Sequence, residues 1–121
     1  MVKIIIAGGR DFVNYTLLKL KMDAITSGLR KSNTPIQVVS GKAKGADALG
    51  EKWAKHHSIT IKEFYADWDL NGNAAGPIRN TEMANYATHL VAFWDGKSRG
   101  TLDMINAAKA CDLKIRIIKY A

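Results

Sequence analysis

The sequence predicts one α/β domain over residues 1–121, with five parallel strands and helices on both faces of the sheet. Three observations carry this. Short apolar runs rich in Ile and Val recur along the chain. Stretches with apolar residues at helical spacing separate them. Gly-rich or polar clusters fall where strands pass into helices.

Taken in order, Val2 to Ala7 is a continuous apolar run ending in Gly8-Gly9, which suits a strand buried on both faces. After Arg10-Asp11-Phe12, the residues Leu18, Met22, Ile25 and Leu29 repeat at helical spacing, with Asn14 as N-cap. Gly28 and the Ser32-Asn33-Thr34-Pro35 cluster are expected to end that helix. Ile36 to Val39 is a second strand, ending at Ser40-Gly41. Ala46, Leu49 and Trp53 mark a second helix, closed by His56-His57-Ser58. Ile59 to Phe64 is a weaker strand pattern, and Asp67 to Ala75 reads as a polar loop. Pro77 suits the first position of the next helix, with Ile78, Met83, Ala84 and Ala87 behind it. Leu90 to Trp94 is the fourth strand. Ser98 caps a helix carrying Leu102, Ile105, Ala108 and Cys111, and Ile115, Ile117 and Ile118 form the last strand. Right-handed crossovers leave a Rossmann-like sheet of order 3-2-1-4-5 as the natural topology. Ligands of such sheets bind beyond the carboxyl ends of the strands, where the strand order reverses.

Bulk properties bound the function. A hydrophobic content of 47% and a charged content of 24% are ordinary for a globular domain. No apolar run approaches the roughly 18 residues of a membrane span, and the first residues enter a strand directly, so no signal peptide is expected. The single Cys111 suits a reducing, cytoplasmic setting. Its bland role is a small buried helix residue. The net charge of +7 permits attraction to nucleotides or nucleic acid, but the basic residues are scattered rather than blocked. His56 and His57 are adjacent and cannot face one ion together, so neither a metal site nor a cofactor is expected.

Four turns at the expected ligand edge collect the unusual residues. Gly8 and Gly9 allow close backbone approach, and Arg10 can pair with a phosphate, with Asp11 or with Asp47. Ser40, Gly41, Lys42 and Gly45 make a loose loop in which Lys42 and Lys44 add positive charge. Asp47 follows in the first helical turn, where it either caps or bonds a ribose hydroxyl or Arg10. Gly76, Arg79 and Asn80 lie at the start of the third helix. A cation in a first turn opposes the helix dipole, so Arg79 is expected to meet an anion or to pair with Asp67, Asp69 or Asp95. Trp68 and Trp94 are candidates for stacking on a base, with core packing as the alternative for Trp94. Ser98, Arg99, Gly100 and Thr101 place small residues and hydroxyls at a helix start, where an anion is favoured. Gly96-Lys97-Ser98 is not a P-loop, because the position five residues before Gly96 is Val91, inside a strand.

At these turns the chain resembles the SLOG superfamily, named for its Smf/DprA and LOG members, and within it the small YspA-type family of phages and bacteria. The matching pieces are Ala7-Gly8-Gly9-Arg10-Asp11-Phe12, Ser40-Gly41 with Gly45-Ala46-Asp47-Ala48-Leu49, Ala66-Asp67-Trp68, Gly76-Pro77-Ile78-Arg79-Asn80, and Val91 to Gly96 with Ser98-Arg99-Gly100-Thr101. The resemblance implies a Rossmann-like fold and a nucleotide or nucleotide-derived ligand. LOG phosphoribohydrolases carry Pro-Gly-Gly-x-Gly-Thr-x-x-Glu with a catalytic Glu. Here Gly100-Thr101 match and the Glu position is Met104, while Asp103 is expected to point elsewhere on the helix. Arg79 resembles the other LOG catalytic residue, so hydrolysis would draw on Asp11, Asp47, Asp67 or Glu82. LOG-like relatives pair through helices near the site, which implies a homodimer. Arg79-Asn80 is also similar to the Arg-Asn of DprA, which binds single-stranded DNA. Three functions follow as expectations: nucleotide binding or sensing, N-glycosidic hydrolysis of nucleoside monophosphates, and single-strand nucleic-acid binding.

Overall fold

A computed structural model describes residues 1–120. The element order is β1 (Val2–Gly8), α1 (Tyr15–Lys31), β2 (Ile36–Ser40), α2 (Ala46–His56), β3 (Thr60–Glu63), α3 (Trp68–Asn71), a 3-10 turn (Gly72–Ala74), α4 (Ala75–Tyr86), β4 (His89–Trp94), α5 (Arg99–Ala110) and β5 (Lys114–Lys119). The strands form one sheet of order β3-β2-β1-β4-β5, and every pairing is parallel. This is the α/β, Rossmann-like arrangement that the sequence predicts.

Strand alternation divides the core between two faces. Ile4, Ile6, Val38, Val91 and Phe93 point to one face and pack with Leu18 and Met22 of α1 and Trp53 and Ala54 of α2. Ile5, Ala7, Val39, Leu90 and Ala92 point to the other and pack with Met83 and Ala84 of α4 and Met104, Ile105 and Ala108 of α5. Each such fully buried large side chain contributes roughly 1.5–3 kcal/mol. The outer strand β5 exposes Lys114, Arg116 and Lys119, charges that oppose pairing with another sheet edge.

Three local expectations are corrected. Helix α1 runs through Gly28 to Lys31, where Ser32 donates its backbone N–H to the carbonyl of Gly28 and Asn33 donates its own to that of Arg30. An exposed glycine weakens a helix without ending it. The segment from Asp67 is not an open loop. Asp67 accepts from the backbone N–H of Leu70 at 3.0 Å and caps α3. The 3-10 turn then leads into α4, so Pro77 is the third residue of α4 rather than its first, and Arg79 and Asn80 lie beyond the first turn. Cys111 is half-buried at the end of α5, and its Sγ faces Asn85 Oδ1 at 3.3 Å.

Candidate functional site

The strand order reverses between β1 and β4, and a cavity of about 760 Å³ opens at their carboxyl ends. That volume suits a small organic ligand. Its walls come from the β1–α1 turn (Gly8, Gly9, Arg10, Asp11), the start of α2 (Asp47), α3 (Trp68), α4 (Gly76, Arg79, Asn80, Met83) and the start of α5 (Ser98, Arg99, Gly100, Thr101, Asp103, Met104).

Close backbone packing builds the floor. Gly45 has φ +76° and ends the turn before α2; a Cβ there would lie 2.2 Å from the carbonyl oxygen of Gly9. The backbone N–H of Ala46 donates to that carbonyl at 3.2 Å, so the β1–α1 turn and α2 are joined. At Gly9 a Cβ would collide with the Tyr120 hydroxyl. Tyr120 uses that space to donate to Asp11 Oδ1 at 2.8 Å, tying the end of the chain to the first turn. Burial first, and then Asp11, push the Tyr120 phenol up to about 12.

Arg79 is the most constrained cation at the cavity. Its Nη1 donates to the carbonyl of Gly41 at 2.9 Å, and its Nη2 donates to Asn80 Oδ1 at 3.3 Å. Its Nε is buried with no acceptor among the described residues. Burial lowers its pKa, opposed by Asp47 and Asp103, but a guanidinium stays charged in proteins. Asp47 is 5% exposed. Its Oδ2 accepts from the backbone N–H of Ala43 at 3.3 Å, and burial raises its carboxyl to about 6 against the pull of Arg79. Asp47 therefore bonds Ala43 and feels the charge of Arg79, and no ion pair joins it to Arg10 or to Arg79 among the described residues. Nor does Arg79 pair with Asp67, Asp69 or Asp95. Asp67 caps α3, and Asp95 accepts from the backbone N–H groups of Lys97 and Ser98, both at 2.8 Å. Those two bonds hold the Asp95 carboxyl below its usual range.

At the opposite wall, Ser98 caps α5 by accepting from the backbone N–H and the hydroxyl of Thr101. The first turn of α5 thus faces the cavity with the positive end of its dipole, beside Arg99. Trp68 is half-exposed, its ring lies beside Gly76, and it borders the cavity.

Several residues of the four turns stand elsewhere. Ser40 is buried and donates to Glu51 Oε2 at 2.6 Å. Lys42 bridges Glu51 at 2.9 Å and Glu63 at 2.8 Å, so its charge is neutralised on the far side of the loop. Gly41 packs against Arg79 and Asp47 from behind. Trp94 is half-buried, donates through Nε1 to the carbonyl of Ser98 at 3.1 Å, and carries Lys119 over its ring. Glu82 is exposed on α4, outside the cavity.

Two features escaped sequence reasoning. Asp103 lines the cavity and accepts from Asn80 Nδ2 at 2.8 Å, correcting the expectation that it points elsewhere. Its spacing of three from Gly100 was the available signal, because residues three apart share a helix face. Met104, at the position of the LOG Glu, is buried in the core with residues of α4, α5 and the sheet and borders the cavity. Among the described residues no group of three His, Cys, Asp or Glu side chains is placed to hold a metal ion, and no helix is long and apolar enough to cross a membrane.

A parallel sheet with an arginine-lined cavity at its order reversal defines a Rossmann-like domain with a ligand-sized cleft. Residues 2–70 match the model of the YspA, cpYpsA-related SLOG family, and the chain belongs to that family. The chain is also similar to Gene 61 protein of Mycobacterium phage D29, with 30% identity over 121 residues, covering 95% of this chain and 94% of that protein. No solved structure matches it.

Proposed function

We propose that the cavity binds a nucleotide or a nucleotide-derived, phosphate-bearing ligand, and that the protein works by binding or sensing it in the cytoplasm. One observation carries this reading: Arg10, Arg79 and Arg99 border the same cleft as the first turn of α5. Cations and helix amides gathered at one small cleft favour an anion. Trp68 supplies a flat surface for a base at the same cleft. Family membership supports a nucleotide-related ligand. The test is a thermal-shift and calorimetric screen with mono-, di- and cyclic nucleotides, with Arg79→Ala as the control. Stabilisation of the wild type that the variant loses supports the reading; no shift with any nucleotide overturns it.

A second reading, hydrolysis of an N-glycosidic bond in a nucleoside monophosphate, is favoured by one specific observation. Asp47 and Asp103 share the cavity with Arg79, and Asp47 is raised to about 6, close to the working range of a general acid. It predicts release of free base from a nucleoside monophosphate, abolished in Arg79→Ala. A wild-type rate equal to buffer ends it for those substrates.

A further inference from the structure

Four carboxylates line the cavity: Asp11, Asp47, Asp95 and Asp103. A cleft for an anion has no use for them at the phosphate itself, so each needs its own account. Asp11 is engaged by Tyr120, and Asp95 by two backbone N–H groups. Asp47 is buried beside Ala43 and Arg79. Asp103 differs. It is half-buried, and only its Oδ2 has a protein donor, Asn80 Nδ2 at 2.8 Å. Its Oδ1 has none among the described residues.

The orientation of Asp103 is set by a relay. Asn80 is 4% exposed, and its amide is held at both ends by partners of opposite character. Oδ1 accepts from the Arg79 guanidinium, and Nδ2 donates to Asp103 and, at 3.4 Å, to the carbonyl of Gly100. A flipped amide would set oxygen against carboxylate and nitrogen against guanidinium, so one orientation is strongly preferred. Arg79 is in turn anchored on Gly41. The free carboxylate oxygen of Asp103 is therefore an acceptor whose carboxylate is held in place before a ligand arrives.

An ionised carboxylate accepts and never donates. It repels a phosphate and asks for hydrogen-bond donors on an uncharged part of the ligand. Asp103 lies about 4.5 Å along the helix axis from Gly100 in the first turn of α5. A ligand whose phosphate meets that first turn would bring the adjoining sugar ring to Asp103. Vicinal ribose hydroxyls present paired donors, and carboxylates bind them in other Rossmann-type clefts. We propose that Asp103, positioned by Asn80, reads the ribose hydroxyls of the ligand and makes the cleft select ribonucleotides over 2′-deoxyribonucleotides. This rests on the nucleotide reading above.

The test measures, by calorimetry, the affinities of the four ribonucleoside 5′-monophosphates and their 2′-deoxy counterparts, together with ribose 5-phosphate and 2-deoxyribose 5-phosphate. Losing a hydrogen bond to a charged group weakens binding by about tenfold or more. The wild type should therefore prefer a ribo ligand over its deoxy partner by about tenfold. In Asp103→Ala the ribo ligand should weaken to the level of the deoxy ligand, whose own affinity stays within about twofold. Asp103→Asn preserves the side-chain shape and gives a second measure of the same loss if the alanine variant does not fold. Equal wild-type binding of ribo and deoxy partners, or a preference that survives both substitutions, overturns the role of Asp103 and leaves the nucleotide reading intact. Binding of neither series overturns both.

Discussion

Arg79 reaches 38 residues back along the chain to donate to the carbonyl of Gly41 at 2.9 Å, so α4 is pinned to the end of β2 through the residue that borders the cavity. The contact exists because Gly41 has no side chain. A Cβ there would lie 2.9 Å from Asp47 Oδ2 and 3.1 Å from Arg79 Nε. Gly41→Ala should displace the guanidinium, and Arg79→Lys should keep a charge but lose the fork that meets Gly41 and Asn80 together. Both variants should bind a nucleoside monophosphate about tenfold more weakly than wild type, by calorimetry. Unchanged affinity in both would show that the position of Arg79 plays no part in binding.

The sheet order and the four ligand-edge turns were legible because buried parallel strands read as apolar runs and turns as glycine clusters. Individual side chains in those turns were less legible. Lys42 and Arg79 look alike in sequence as cations beside glycines. They part company because the β2–β3 pairing, a long-range event, brings Glu63 to Lys42, and the packing of α2 on the sheet brings Glu51. Asp103 sits one residue before the LOG Glu position, yet its helix face turns it toward Asn80. Tyr120 was invisible as a site neighbour, because its link to Asp11 spans 109 residues.

Asp23 on α1 joins the two helices of one sheet face. Its Oδ1 accepts from the indole N–H of the fully buried Trp53 at 2.9 Å and sits 3.1 Å from His57 Nε2, while Lys19 donates to Oδ2 at 2.9 Å. The bond from Trp53, then that from Lys19, hold the Asp23 carboxyl down at about 2. A depressed carboxyl contributes stability above its unfolded value near 3.8 and loses it as pH falls through about 2. Asp23→Asn should be less stable at pH 7 by about 1–2 kcal/mol, allowing for solvent screening of a partly exposed group. The gap to wild type should close between pH 4 and pH 2 in urea titrations. A gap that stays constant over that range would show that the charge on Asp23 contributes nothing.

Asp47 has the opposite sign. Burial raises its carboxyl to about 6 from 3.8, so the folded state holds this proton more firmly than the unfolded one. Its contribution to stability is therefore complete below pH 4 and is lost as pH rises through 6. Asp47→Asn should remove that slope, gaining roughly 1–3 kcal/mol relative to wild type between pH 4 and pH 7. Ligand binding should feel the same group. The Arg79 charge favours ionised Asp47 and Glu51 disfavours it, so an anion arriving at Arg79 makes the ionised carboxylate less favourable. A cyclic nucleotide has one phosphate charge that does not titrate in this range, and it should bind wild type more tightly at pH 5.5 than at pH 7.5, with proton uptake. Calorimetry in buffers of different ionisation heat measures that uptake directly. It should vanish in Asp47→Asn. Uptake that persists in the variant would assign the proton to another group and separate Asp47 from the ligand site.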